Sequence, residues 1–133
     1  MDNIRHTIIL VDDNLSSLAQ GKDILKPYYK VYPAPSAAKL FETLEVVIPD
    51  LILLDIEMPE MSGYDAIKKL KSDARFSGIP VVFLTSESDE DSELEGLKLG
   101  AMDLISKPFS APLLVERIEN YLRDRSKPAL ASW

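Results

Sequence analysis

The sequence has no cysteine and only one histidine among its 133 residues. The absence of cysteine excludes a disulfide framework, thiol catalysis and cysteine-based zinc sites. The chain also lacks any uninterrupted apolar run near the roughly 18 residues that a membrane span needs. Its first residues, Met1 to Arg5, lack the apolar stretch of a signal peptide. We therefore expect a cytoplasmic protein that does not contact a membrane.

Basic residues are scarce relative to acidic ones. The chain has 15 lysines and arginines against 22 aspartates and glutamates, which gives a net charge of -7. A nucleic-acid surface needs clustered Lys and Arg to replace counterions, so direct nucleic-acid binding is not expected. The length fits a single domain. We expect that domain over residues 1–125, followed at 126–133 by a flexible C-terminal tail or the start of a linker.

Several short apolar runs are each followed by polar residues. They are Ile8–Val11, Leu51–Leu54, Val81–Leu84 and Leu104–Ser106. Such runs, bounded by turn signals, are typical of strands that are buried on both faces of a parallel sheet. A further strand is predicted within Tyr28–Tyr32, with Pro33 and Pro35 breaking it.

The segments between these runs show the three- and four-residue spacing of apolar side chains that marks helices. The clearest examples extend from Ala37 to Val47 and from Leu114 to Leu122, the latter with Ser110 as a plausible N-cap. A first helix should stop before Pro27. Five alternations of strand and helix predict an open α/β sheet of parallel strands with helices on both faces.

The polar residues at the ends of the strands predict one chemical site, because ligands bind outside the carboxyl ends of an open parallel sheet. These residues are Asp12, Asp13, Asp55, Thr85 and Lys107. Clustered carboxylates repel one another, and a hard cation such as Mg²⁺ would compensate for this repulsion. A carboxylate can also act as a nucleophile that forms an acyl phosphate. Lys107 would then supply positive charge, and Thr85 a hydrogen-bond donor.

Short motifs follow these strands in a fixed order. They are Asp12-Asp13, Asp55-Ile56-Glu57-Met58-Pro59-Glu60-Met61-Ser62-Gly63-Tyr64, Leu84-Thr85, Gly100-Ala101-Met102-Asp103 and Lys107-Pro108-Phe109. In these motifs the chain resembles the receiver domain of two-component response regulators, from about Thr7 to Arg123. The resemblance implies a flavodoxin-like (βα)5 fold, a doubly wound parallel sheet with strand order 2-1-3-4-5.

The resemblance also implies a phosphorylation-dependent signalling switch. Asp55 would accept a phosphoryl group from a histidine kinase or a histidine phosphotransfer protein. Phosphorylation would change the surface presented to a downstream effector protein or output domain, and it could drive formation of a homodimer. The domain would catalyse only its own phosphorylation and dephosphorylation, and in that sense it is not expected to be an enzyme.

The individual site roles are likewise implied by the resemblance. Asp13 and Asp55 would bind Mg²⁺ through their side chains, Asp12 partly through water, and Glu57 through its backbone carbonyl. Thr85 would move toward the phosphoryl oxygens and Lys107 would pair with them. The Lys107–Pro108 peptide bond is expected to be cis.

Two positions depart from the family pattern. Leu104 stands where the family has an aromatic residue coupled to the Thr, so signal transmission would rest on loop and backbone shifts. Ser86 stands where a small apolar residue is usual, and it adds a polar group beside the site. Glu57 and Glu87 occupy positions at which the family tunes the lifetime of the phosphorylated form.

Three other functions are considered. An interaction-only receiver would be favoured by loss of an acidic residue, the Thr or the Lys, and none is lost. An aspartyl-phosphate phosphatase would usually carry a second Asp two residues after the first, where this chain has Glu57. A flavin-binding protein would need a phosphate loop rich in Ser, Thr and Gly after the first strand, where this chain is acidic.

One prediction does not depend on the family. Because three carboxylates repel one another, Mg²⁺ should raise the melting temperature of the protein, and Asp13→Asn should stabilise the metal-free protein.

Overall fold

The computed structural model describes residues 5–86, 90–108 and 110–124, and in it strands alternate with helices along the chain. The strands are β1 Thr7–Val11, β2 Lys30–Ala34, β3 Leu51–Asp55, β4 Val81–Thr85 and β5 Asp103–Ser106. The helices are α1 Leu15–Leu25, α2 Ala37–Leu44, α3 Gly63–Lys71, α4 Glu90–Lys98 and α5 Ala111–Asp124. The predicted alternation of strand and helix is confirmed.

The strands form one parallel sheet in the order β2-β1-β3-β4-β5. This order confirms the flavodoxin-like fold. The chain leaves β1 toward β2 on one side and later adds β3 on the other, so the carboxyl ends of β1 and β3 lie at the switch point where such folds bind ligands. In the register Val11 lies opposite Leu54, and Asp55 lies opposite Leu84. The polar strand ends therefore meet along one edge.

The core has two layers, one on each face of the sheet. Alternate residues of β1 divide between them: Ile9 and Val11 join the cluster that includes α2 and α3, whereas Ile8 and Leu10 join the cluster that includes α1 and α5. All four of these side chains are buried. Burial of one such side chain contributes roughly 1.5–3 kcal/mol. Both faces of the strands need apolar residues, which explains why the runs are continuous rather than alternating.

The helices begin at capping residues that the sequence supplies. The side chains of Asn14, Ser36, Ser62 and Ser110 accept hydrogen bonds from backbone N–H groups three residues later, at 2.9, 3.1, 3.2 and 3.3 Å respectively. Each bond satisfies one of the unpaired N–H groups of the first helical turn. The prediction of Ser110 as an N-cap is confirmed, and α1 ends before Pro27 as expected.

Two predicted boundaries were wrong. The strand expected within Tyr28–Tyr32 spans Lys30–Ala34 and contains Pro33. This is tolerated because β2 is an edge strand, where a missing N–H need not break a central ladder. The helix expected to reach Val47 ends at Leu44. Beyond it Val46 and Ile48 are exposed, so burial of an apolar face does not stabilise a further turn.

Two expectations concern membranes and the chain terminus. No helix in the described part of the chain is long and apolar enough to cross a membrane. The segment 126–133, predicted to be a tail or linker, lies outside the described residues.

Candidate functional site

The two acidic residues after β1 differ in their exposure. Asp12 is only 2% exposed, and its backbone N–H donates to the Ala34 carbonyl at 3.1 Å. Its Oδ1 accepts a hydrogen bond from the Asn14 N–H at 3.0 Å. Asp13 is exposed to solvent. The strand therefore holds one carboxylate in place inside the site and leaves the next at its mouth.

Asp55 is the last residue of β3 and is 4% exposed. The following N–H, that of Ile56, donates to the Leu84 carbonyl at 3.0 Å, so the strand remains paired just beyond the carboxylate. One carboxylate oxygen from each of Asp12, Asp13 and Asp55 lies within 4.8 Å of the other two. The structure therefore brings together the three acidic residues that the strand ends indicated.

Lys107 lies between two of these carboxylates. Its Nζ is 2.9 Å from Asp12 Oδ2 and 3.7 Å from Asp55 Oδ1. Its backbone N–H donates to the Thr85 carbonyl at 2.7 Å, and the Lys107–Pro108 peptide bond is cis. The residue is thus anchored to β4 through its backbone and to the acidic residues through its side chain. One ammonium offsets only part of the charge of three carboxylates.

The pKa of Asp55 is raised from its usual 3.8 to about 7. Burial is the largest cause, because it removes the charged form from water. Lys107 opposes this rise, while the charges of Asp12 and Asp13 and a hydrogen bond with the Asp13 carboxyl add to it. Burial and the neighbouring carboxylates therefore favour the protonated form of a metal-free Asp55, and any group that brings positive charge would favour its ionised form.

Thr85 is the last residue of β4 and is 1% exposed. It lies on the strand next to β3 and pairs with Ser106 of β5. Its position at the same edge as Asp55 agrees with the expected arrangement of strand ends.

Leu104, which stands where the family has an aromatic residue, is half-buried and packs against the core cluster that contains Phe83. The Phe83 ring meets the Tyr64 ring edge-on at a centroid distance of 5.5 Å. Glu87 and Phe109 lie outside the described residues.

Gly63, the first residue of α3, has a role in the site that the sequence analysis did not identify. A Cβ at this position would lie 2.5 Å from the Asp55 carbonyl oxygen and 2.8 Å from Ile56 Cα. The Gly63 N–H donates to the Ile56 carbonyl at 2.7 Å. The start of α3 therefore rests directly on the backbone of Asp55. The glycine that follows the capping Ser62, at the start of the helix after β3, is the signal that could have revealed this contact.

The side chains of Ser86 and Glu57 are also in contact. The Ser86 hydroxyl donates to Glu57 Oε1 at 3.0 Å, and both residues are exposed. This bond joins the loop after β3 to the loop after β4. The sequence analysis noted both positions but did not predict that they touch, because neither local spacing nor strand pattern relates two loops that are 29 residues apart.

The donor set suits a hard cation. Carboxylate oxygens are the ligands that Mg²⁺ prefers, and two of the three acidic residues are too buried for water to solvate their charge. No histidine or cysteine takes part in this cluster, which disfavours zinc and copper. The exposed Asp13 leaves one side of the cluster open to solvent and thus to a ligand that retains water molecules.

The chain matches the family model described as the response regulator receiver domain over residues 8–119. It is 42% identical over 125 residues to a probable cyclic di-GMP phosphodiesterase of Vibrio cholerae, covering 93% of this chain and 28% of that protein. It is 34% identical over 124 residues to the DNA-binding response regulator MtrA of Mycobacterium tuberculosis, covering 92% of this chain and 53% of that protein.

A solved structure shows the same likeness in three dimensions. It is the signal receiver domain of a signal transduction histidine kinase from Syntrophus aciditrophicus, with a TM-score of 0.81 and 30% sequence identity. The match covers 92% of this chain and 94% of that domain. The chain spans 28% and 53% of the length of the two curated relatives named above.

Proposed function

Because the chain belongs to the family of response regulator receiver domains, we propose that it is a phosphorylation-dependent switch whose phosphoryl acceptor is Asp55. The observation that supports this most is the position of the Asp55 carboxylate. It is buried at the end of a central strand, within 4.8 Å of two further carboxylates and 3.7 Å from the Lys107 ammonium. A purely structural aspartate gains nothing from two like-charged neighbours.

In the proposed reaction an oxygen of ionised Asp55 attacks the phosphorus of a phosphohistidine on a partner protein. The bond from phosphorus to the histidine nitrogen breaks, and that nitrogen keeps the electron pair. The product is an acyl phosphate on Asp55. Hydrolysis by water would later return the free carboxylate and inorganic phosphate.

The residues around Asp55 would neutralise and orient the charged phosphoryl oxygens, which is the main requirement of phosphoryl transfer. Lys107 would exchange its contact with Asp12 for contacts with these oxygens, and the Thr85 hydroxyl would donate to one of them. Asp12, Asp13, Asp55 and the backbone carbonyl of Glu57 would hold Mg²⁺. When bound, this cation would supply charge neutralisation between the carboxylates and the phosphoryl group.

The partners follow from the same proposal. A histidine kinase or a histidine phosphotransfer protein would donate the phosphoryl group, and a downstream effector or attached output domain would receive the signal in the cytoplasm. Relatives that contain a similar domain are named as a phosphodiesterase and as a DNA-binding regulator. We assign neither activity to this domain itself, which would catalyse only its own phosphorylation and dephosphorylation. A homodimer that depends on phosphorylation fits the same scheme.

The competing functions have less support. An interaction-only receiver would not need Lys107 placed against two buried carboxylates. An aspartyl-phosphate phosphatase would need a general acid near Asp55, and the residue two positions on, Glu57, has its side chain engaged by Ser86.

The proposal is tested by measuring the intact mass of the protein after incubation with Mg²⁺ and acetyl phosphate. We expect one phosphoryl adduct on the wild type and none on Asp55→Asn. The matched control is Asp23→Asn, which changes an exposed aspartate of α1 and should leave the adduct unchanged. Loss of the adduct in hydroxylamine would identify it as an acyl phosphate.

Two outcomes would contradict the proposal. An adduct on Asp55→Asn would place the acceptor elsewhere. A folded wild type that acquires no adduct from acetyl phosphate or from any purified histidine kinase would favour the interaction-only receiver.

A further inference from the structure

We infer that Ser86 is a positioning residue for the cation site, acting through its hydrogen bond to the Glu57 side chain. The inference rests on the proposed function, in which the backbone carbonyl of Glu57 is a ligand of Mg²⁺. The Ser86 hydroxyl and Glu57 Oε1 are 3.0 Å apart. A bond at this distance restrains the residue whose carbonyl must meet the cation.

The Ser86 end of this bond is firmly held. The preceding residue, Thr85, is buried at the end of β4, and its carbonyl accepts the Lys107 N–H at 2.7 Å. The peptide that leads into Ser86 is therefore fixed by the sheet. The Ser86 hydroxyl therefore extends from a fixed backbone, and its hydrogen bond to Glu57 restrains the loop that follows β3.

Among the residues that the structure describes, a backbone hydrogen bond restrains Glu57 at the peptide that precedes it. The Ile56 carbonyl accepts the Gly63 N–H at 2.7 Å, which fixes the peptide before Glu57. The carbonyl of Glu57 itself belongs to the next peptide, where the loop proceeds to Met58 and Pro59. The contact with Ser86 restrains Glu57 through its side chain, at the point where the loop departs from the strand.

This role differs from an effect of the Glu57 charge. Removal of the Ser86 hydroxyl leaves every carboxylate in place, so any loss of cation affinity reports position rather than charge. The loss should be modest, because one exposed hydrogen bond is worth little. We expect Ser86→Ala to weaken cation binding by about two- to fivefold.

The test measures metal affinity in the absence of any phosphoryl donor. Mn²⁺ takes the same oxygen ligands as Mg²⁺ and is detected by electron paramagnetic resonance, so Mn²⁺ is titrated directly and then displaced with Mg²⁺. The variants are Ser86→Ala, Ser86→Thr, Glu57→Ala and the double variant Ser86→Ala with Glu57→Ala. Ser86→Thr keeps the hydroxyl and should retain wild-type affinity. In the Glu57→Ala background, Ser86→Ala should have no further effect.

Other outcomes have distinct meanings. An equal loss from Ser86→Ala in both backgrounds, or no loss in either, would overturn the inference. Urea unfolding of each variant without metal separates a local effect from general destabilisation. Asp13→Asn serves as the reference: if it weakens Mn²⁺ binding while the Ser86 variants do not, only this inference fails. If the wild type binds no Mn²⁺, or Asp13→Asn has no effect, the proposed cation site fails and the inference fails with it.

Discussion

Replacing Asp55 by Asn should stabilise the metal-free protein, and the gain should grow with pH. Asn has nearly the same shape as a protonated Asp but cannot ionise. Burial and the neighbouring carboxylates raise the pKa of Asp55 from 3.8 to about 7 in the folded protein. The folded state therefore binds the Asp55 proton more tightly than the unfolded state does.

The sign follows from this difference in proton affinity. A carboxyl group whose pKa is raised by folding contributes its full stability below the unfolded value, near pH 4, and loses it as the pH rises toward 7. Each tenfold change in proton affinity corresponds to about 1.4 kcal/mol. The wild type should thus lose on the order of 2–4 kcal/mol over this interval through Asp55. Asp55→Asn avoids this loss.

The measurement is urea unfolding in the presence of a chelator from about pH 4 to 8, with stability obtained by linear extrapolation. The difference between Asp55→Asn and wild type should be near zero at the acidic end and reach on the order of 2–4 kcal/mol at the alkaline end. The exposed Asp23→Asn variant controls for general effects of the substitution. Parallel stability curves for Asp55→Asn and wild type across this range would refute the reasoning that an ionised Asp55 is costly in the folded state.

Three further predictions concern the cation, α3 and the loop before it. Mg²⁺ at one hundred times its dissociation constant should stabilise the wild type by about 2.7 kcal/mol and so raise its melting temperature; Asp13→Asn should reduce this rise, and an undiminished rise would contradict the role of Asp13 as a ligand. Gly63→Ala should destabilise the protein by about 1–3 kcal/mol in urea unfolding and reduce the acetyl phosphate adduct, because the added Cβ meets backbone atoms; Gly78→Ala, whose Cβ meets nothing within 4 Å, should do neither. Glu60 has a φ of 68°, so Asn should be tolerated there whereas Val should lower the unfolding free energy by about 1–2 kcal/mol; equal stability of the two variants would contradict this.

Much of the site was predictable from the sequence because a parallel sheet aligns the ends of its strands. Once Asp55 and Thr85 were recognised as strand ends, their placement on one edge required no knowledge of the helices. The same holds for Asp12 after β1 and Lys107 after β5. The order of the strands and the family followed from the motifs attached to these ends, and both predictions are confirmed.

Element boundaries were harder to predict, because local pattern and tertiary position compete there. Pro33 was predicted to break a strand, but it lies within β2, because an edge strand tolerates a residue without an N–H. Val47 continued the apolar spacing of α2, although the helix stops at Leu44. Leu15, the first residue of α1, is 70% exposed, whereas Leu18 and Leu25 of the same helix are buried.

The sequence by itself therefore determined which chemical groups the protein has and on which edge of the sheet they lie, since strand periodicity and strand ends are local properties of the chain. Only the tertiary structure decided how these groups are paired and charged. The contact of Lys107 with Asp12 and the bond from Ser86 to Glu57 join segments that follow different strands, and the close approach of Gly63 to the Asp55 backbone joins a helix start to a strand end. The raised pKa of Asp55 likewise depends on how completely the surrounding elements exclude water. Distances and burial of this kind arise from the packing of the whole domain, and no local pattern encodes them.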